Sequence, residues 1–406
     1  MLQILIIILL VSFVFERILD QLNLSKLSPE LPPLADGIYD EEKYRKSQEY
    51  YRVNHRFSQL SSVFSFILMI AMLSFGGFGK LDIWLRQFTQ DPVWLSLLFF
   101  GVIGIASDIL SLPFSLYKTF VIEEKFGFNK TSIGLFVRDK IKSYLLAIIL
   151  GGALIAGLVH IYLSTGEYFW ILAWLVMTTV LIFVSMFYTS LLLPIFNKLS
   201  PLPEGELRTA IEDYCNKAGF TLNNIFVMDG SKRSSKANAF FSGIGKKKRI
   251  VLYDTLIANH STEELVAVLA HETGHYKLKH TRTGLLVGIF QTGMMLYILS
   301  LFLGNGSVAP ALGAIHSGFH LDLIAFGILY SPVSTILGIL ANVLSRKHEF
   351  EADAFARRTY RAMPLVTALK KLSADNLSNL VPHPVYVFIH YSHPPLLKRL
   401  SALLKD

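Results

Sequence analysis

Val268 to His280 reads VLAHETGHYKLKH, and three residues later the chain enters GLLVGIFQTGMMLYILSLFL (284–303). The first stretch has two histidines four apart with a glutamate between them. The second is apolar for the roughly 20 residues that cross about 30 Å of hydrocarbon at 1.5 Å each. On a helix, positions i and i+4 share a face, so His271 and His275 aim at one point. Glu272, next to the first histidine, is placed to reach a water held there and to serve as general base. Gly274 leaves room beside the pair. A polar helix face in water is the competing reading, but this helix runs straight into a candidate span, where a titratable cluster must be wetted or coordinated.

The whole chain fits a membrane setting. Of its 406 residues 52% are apolar, more than soluble proteins usually carry. The formal net charge of +8 is scattered among hydrophobic blocks rather than gathered in a basic arm, which favours lipid headgroups over nucleic acid as a partner. A lone cysteine, Cys215, excludes a disulfide framework within the chain and any multi-cysteine metal knuckle. Seven blocks approach spanning length: 1–16, 59–78, 93–117, 142–163, 168–193, 284–303 and 320–343. The first has no basic leader and no clear cleavage site, so it reads as a retained helix rather than a signal peptide. Pro113 and Pro332 fall inside spans and are expected to kink them. Asp108 also lies within one, where an ionisable group needs a partner on another helix or a wet cavity.

The loops set an orientation. Residues 18–57 hold six Lys/Arg, and the 118–141 connection adds Lys118, Lys125, Lys130, Arg138 and Lys140, whereas 164–167 and 304–319 hold none. The positive-inside bias then puts 194–283 and 344–406 on the cytosolic side as one catalytic domain, divided by the spans of 284–343 and preceded by the membrane region 1–193. Within it, 203–220 reads as a helix stopped at Gly219, and NNIFVMDG (223–230) and KKRIVLYDTLI (247–257) read as strands of a small sheet. The GKKKR run at 245–249 reads as a solvated turn between strands.

Two histidines need a third protein ligand to hold a zinc ion with an open position. LSRKHEFEADAFARR (344–358) offers Glu349 and Asp353 at i,i+4, one able to ligate and the other able to accept the Nδ1 proton of a ligand histidine. His348 and Glu351 are expected to point elsewhere. In YSHPPLLKRLSALLK a helix is expected from Pro394, with His393 at its entrance and Arg399 inside, and either side chain can donate to a developing oxyanion. His260, His280, His316, His320, His383 and His390 show no partnered ligand set and read as packing or surface residues.

Together LAHETGHYKLKH, SRKHEFEADAFA, SHPPLLKRL, DGSKRSSKANAFFSG with KKRIVLYDTLI, and FVIEEKFGFNKTS resemble the type I CAAX prenyl protease family, integral-membrane zinc metalloendopeptidases of the gluzincin kind. The resemblance runs from about residue 30 to the end. It implies one zinc ion on His271, His275 and Glu349, catalysis by Glu272, Asp353 behind a ligand, and His393 and Arg399 at the transition state. It implies substrate contact at Asn238 and Ala239 on an exposed strand edge, with Phe240 packing. The implied fold is α-helical: seven tilted spans around a water-filled intramembrane chamber, capped by a mostly helical catalytic domain with a small β-sheet. The implied reaction removes the last three residues of a protein whose C-terminal cysteine carries an isoprenoid. Endoplasmic reticulum or bacterial inner membrane both suit it, and in a bacterium without prenylation the same scaffold would serve membrane-protein quality control. A channel or transporter centred on Asp108 is the alternative of another class.

Overall fold

The apolar blocks fold as long helices. The computed structural model describes residues 1–28, 30–32, 37–219, 225–242 and 249–405, so most of the 245–249 run and the outer ends of the two expected strands lie outside the described residues. From the N-terminus come α1 (Leu2–Leu24), α2 (Glu41–Ser74), the short α3 (Gly77–Leu85) and α4 (Pro92–Tyr117), which continues as a π-helical turn to Glu123. A 64-residue helical stretch follows, made of α5 (Ile133–Leu146), α6 (Gly152–Thr165), α7 (Phe169–Phe187) and α8 (Leu193–Phe196). Extended, 64 residues would reach about 96 Å, three times a bilayer core. A 3-10 turn at Gly166–Tyr168 folds it back instead, with Gly166 at φ +52°, and the rings of Tyr162 and Phe169 meet edge-on across the hairpin. The described residues hold six stretches long and apolar enough to cross a membrane. The expectation of seven counts the two hairpin arms separately.

Beyond the hairpin lies the cap. Strand β1 (Leu199–Pro201), α9 (Glu206–Lys217), β2 (Ile225–Met228), β3 (Ala239–Ser242) and β4 (Arg249–Tyr253) give a four-stranded sheet in the order β1-β2-β4-β3. β2 and β4 run parallel and the outer strands antiparallel, so β3 is an edge. Next come α10 (Asp254–Asn259), α11 (Thr262–Lys277), α12 (His280–Phe302), α13 (Val308–Ala311), α14 (Phe319–Thr359), α15 (Ala362–Asp375), α16 (Pro384–His390) and α17 (Leu396–Leu403). α14 is 41 residues long and unbroken, with Pro332 inside it, as Pro113 is inside α4. The expected boundary at 343/344 therefore falls within one helix of about 61 Å. The membrane region is likewise not separate from the cap, because Tyr44, Ile122, Phe126 and Phe128 are buried in one core with Ile211, Ile250, Leu252, Leu265 and Leu365.

Neighbouring spans meet in a closed cycle. Phe13 stacks on Phe66 between α1 and α2, Phe57 on Tyr117 between α2 and α4, and Asp108 of α4 pairs with Lys140 and Tyr144 of α5. Trp174 Nε1 of α7 donates to Ile289 O of α12 at 2.8 Å, Phe302 of α12 meets Phe326 of α14, and α14 returns to α1. The most apolar windows of these helices are only 6–17% buried. Most of their surface therefore faces either lipid or the space inside the ring rather than packed protein.

Candidate active site

α11 starts and stops on local signals. Ser261 accepts from Glu264 N at 3.3 Å while the Glu264 carboxylate accepts from Ser261 N at 3.0 Å, a capping box. Leu265 to Ala270 are all buried, so this helix has no solvated side and the polar-face reading of its histidines is removed. Gly274 explains its closeness to α14: a Cβ there would stand 3.1 Å from Ala352 Cα and 3.1 Å from Phe355 Cβ. Two helices in backbone-to-backbone contact bring the HETGH side chains against those of 349–353.

His271, His275 and Glu349 converge. Four donors around a small ion at bonds of about 2.0–2.1 Å stand about 3.3 Å apart in tetrahedral geometry. Here His271 Nε2 is 3.2 Å from His275 Nε2, His275 Nε2 is 3.2 Å from Glu349 Oε1, and His271 Nε2 is 3.5 Å from Glu349 Oε2. Glu349 Oε2 is buried without a well-formed hydrogen bond although Arg399 Nη1 lies 3.2 Å away. An orphaned carboxylate oxygen facing two imidazole nitrogens fits a divalent cation, and so does the spacing. Behind the trio, Asp353 Oδ1 sits 2.9 Å from His271 Nδ1, and Arg399 grips Asp353 through Nε at 2.8 Å and Nη2 at 2.6 Å. Burial pushes the His271 pKa down, but the Asp353 and Glu349 contacts outweigh it and raise it to about 9 without metal. Glu272 lies deep among protein atoms yet keeps part of its surface open, and burial raises its carboxyl above the ordinary range.

His393 and Arg399, open alternatives in sequence, occupy different places. His393 is 65% exposed in its side chain, with Nε2 3.3 Å from Glu349 Oε1 and Nδ1 2.9 Å from Ser392 Oγ. Arg399 is buried and spent on carboxylates. The helix expected from Pro394 begins at Leu396 with Pro395 as its cap, because a proline N-terminal to another proline is held extended. Asn238 is exposed directly before β3, and Ala239 opens that strand. Tyr253 N donates to Asn238 O at 3.1 Å, so by antiparallel alternation the N–H and C=O of Ala239 face the free edge. Asn238 Oδ1 accepts the Ala239 N–H at 2.9 Å, and Phe240 packs on Tyr253.

One expectation fails, and it concerns His280. His348 and Glu351 point away from the first trio as expected, but together with His280, which the sequence left without a partnered ligand set, they form a second group of potential ligand atoms lying within 4.8 Å of one another. Sequence also gave no sign of Lys236, whose Nζ reaches Tyr50 OH at 2.8 Å and Glu123 Oε2 at 3.0 Å and so ties the segment before β3 to the membrane helices.

Residues 21–198 match the family model described as CAAX prenyl protease N-terminal, five membrane helices, and residues 201–406 match that of peptidase family M48. The chain belongs to peptidase family M48. This M48 chain is 37% identical over 404 residues to a CAAX prenyl protease 1 homolog of Arabidopsis thaliana, covering 97% of this chain and 95% of the relative. It is 34% identical to the Homo sapiens homolog over 94% of this chain and 90% of that one, and 34% to CAAX prenyl protease 1 of Saccharomyces cerevisiae over 97% and 92%. The crystal structure of S. mikatae Ste24p superposes with a TM-score of 0.94 at 33% identity, covering 100% of this chain and 99% of that one. The M48 protein is thus an integral-membrane metalloendopeptidase, and the bacterial quality-control and channel alternatives are not favoured.

Proposed function

We propose that this protein removes the C-terminal tripeptide from prenylated CAAX proteins, using one zinc ion on His271, His275 and Glu349. The observation that carries the reading is the meeting of those three donors, with Glu272 beside them and the free edge of β3 nearby. A bound zinc ion would supply a Lewis acid for the scissile carbonyl and for the attacking water. Glu272, whose carboxyl pKa burial raises above the ordinary range, takes the water's proton and returns it to the leaving amine. His393, with Ser392 Oγ at Nδ1 and Nε2 turned inward, donates to the oxyanion. Arg399 positions Asp353, which in turn fixes the ring of His271.

The substrate backbone adds to β3 as a further strand, pairing with Ala239 in place of the Asn238 side chain. A lipid on the substrate cysteine adds roughly 0.8 kcal/mol of membrane anchoring per buried CH₂, which suits a site at a bilayer. We assign the membrane as that of the endoplasmic reticulum, with the cap of 194–283 and 344–406 cytosolic, on the basis of the basic loops and the relatives' organisms. The test offers purified, zinc-loaded protein a farnesylated CAAX peptide and its unprenylated counterpart, with tripeptide release read by mass spectrometry. Fast release from the farnesylated peptide alone is expected. Equal cleavage of both would remove the lipid from recognition, and cleavage of neither would remove the reading.

A further inference from the structure

We infer that His280 and Glu351 form a relay that orients the second metal-binding histidine, His275, and that they do not hold a second ion. The inference rests on the reading of His271, His275 and Glu349 as the metal site. His275 Nδ1 lies 3.1 Å from His280 Nδ1, and His280 Nε2 lies 2.9 Å from Glu351 Oε2. One arrangement of protons satisfies every atom. If His275 gives its Nε2 lone pair to the metal, its proton sits on Nδ1 and must be accepted by His280 Nδ1. His280 then carries its own proton on Nε2, where the Glu351 carboxylate accepts it. Each N–H has an acceptor, and none is left over.

The parallel with the first ligand supports this. His271 hands its Nδ1 proton directly to Asp353, at 2.9 Å. His275 does so through an interposed imidazole to Glu351, two residues earlier on the same helix. α14 therefore supplies one ligand, Glu349, and both terminal acceptors. His280 is buried, and the ring of His348 stacks on it at 3.9 Å with an interplanar angle of 8°, which fixes its plane. A second metal would have to take the His280 Nε2 and Glu351 oxygen already joined to each other. Ligand histidines whose outer partner is removed typically lose about 10–100-fold in metal affinity.

Three variants at one position separate hydrogen bonding from packing. His280→Phe keeps an aromatic ring against His348 but has no acceptor, and it is expected to weaken metal binding about 10–100-fold in competition with a chromophoric chelator. His280→Asn puts an amide oxygen where Nδ1 was and is expected to recover most of that loss. His280→Ala should resemble the phenylalanine variant. The ligand-field spectrum of the cobalt-substituted protein should shift in His280→Phe and revert in His280→Asn. Wild-type affinity in His280→Phe, or no recovery in His280→Asn, overturns the relay. So does a stoichiometry of two metals per wild-type chain falling to one in His280→Ala. His275→Ala tests the underlying site separately: if the wild type binds no metal, or His275→Ala binds it unchanged, the fault lies in the metal-site reading and not in the relay.

Discussion

Arg399 and His393 differ in what surrounds them, and that difference predicts separable defects. His393 stands mostly open beside Glu349, so His393→Ala should lower kcat/KM by about 10²-fold while metal content and melting temperature stay unchanged. Arg399 makes two short bonds to a buried Asp353, and its loss leaves that carboxylate with His271 as its one remaining partner, at a cost on the order of 3 kcal/mol. Arg399→Ala should therefore melt lower and lose metal, which thermal denaturation and metal analysis will distinguish from the histidine variant. Glu272→Gln should retain metal and lose about 10²–10⁴-fold in activity, since only the base is removed. The pH dependence of metal binding follows from His271. Its pKa of about 9 in the metal-free site means that a proton occupies the ligand at pH 7. A metal must displace that proton, so apparent affinity should rise as pH goes from 7 to 9, by up to about tenfold per unit, and level off above. Chelator competition across that range checks the sign.

At the scale of elements, the α11–α14 contact is what assembles the site, and Gly274 permits it. A methyl group at 274 meets Ala352 backbone at 3.1 Å, which cannot rotate away as a side-chain end could. Gly274→Ala should push α14 off by a few tenths of an ångström and weaken metal binding at least tenfold while Glu349 and both histidines remain in the sequence; competition titration against wild type measures this. The same pair of helices shows what could be read beforehand. α11 was legible because HETGH sits in an uninterrupted apolar-periodic run. Glu349 and Asp353 were legible as a pair, but which one faced the histidines depended on the rotation of α14, and that is set by tertiary packing. The role of His280 was hidden by a reversal: Lys279 at φ +63° ends α11 and starts α12, so five residues of spacing return the chain to the same site in a way no single helical period describes. β1 and β3, three and four residues long, carry too little alternation to announce themselves.

For the whole molecule, the question is what holds the ring of spans shut at the end away from the metal. Asp82 of α3 is fully buried, with His320 Nε2 at 2.9 Å and Arg86 Nε at 2.8 Å, and the His320 ring packs 4.5 Å from that of Phe99 in α4. Gly79 and Gly313 touch so closely that a Cβ on Gly79 would lie 2.0 Å from Gly313 C, and Gly79 N donates to Leu312 O at 2.9 Å. α3, α4 and the start of α14 are thereby clamped around one buried ion pair. His320 and Glu349 stand on one continuous helix, 29 residues and about 43 Å apart. Replacing His320 by alanine leaves the Asp82 charge with only one partner and opens a void, a loss on the order of 3 kcal/mol. The clamp acts on the closure of the ring, whereas the metal site is assembled by α11 against the far end of α14. His320→Ala should therefore lower the melting temperature of the purified protein by several degrees while chelator competition at 25 °C gives wild-type metal affinity. Equal losses in both measurements would show instead that α14 transmits the state of one end of the ring to the other.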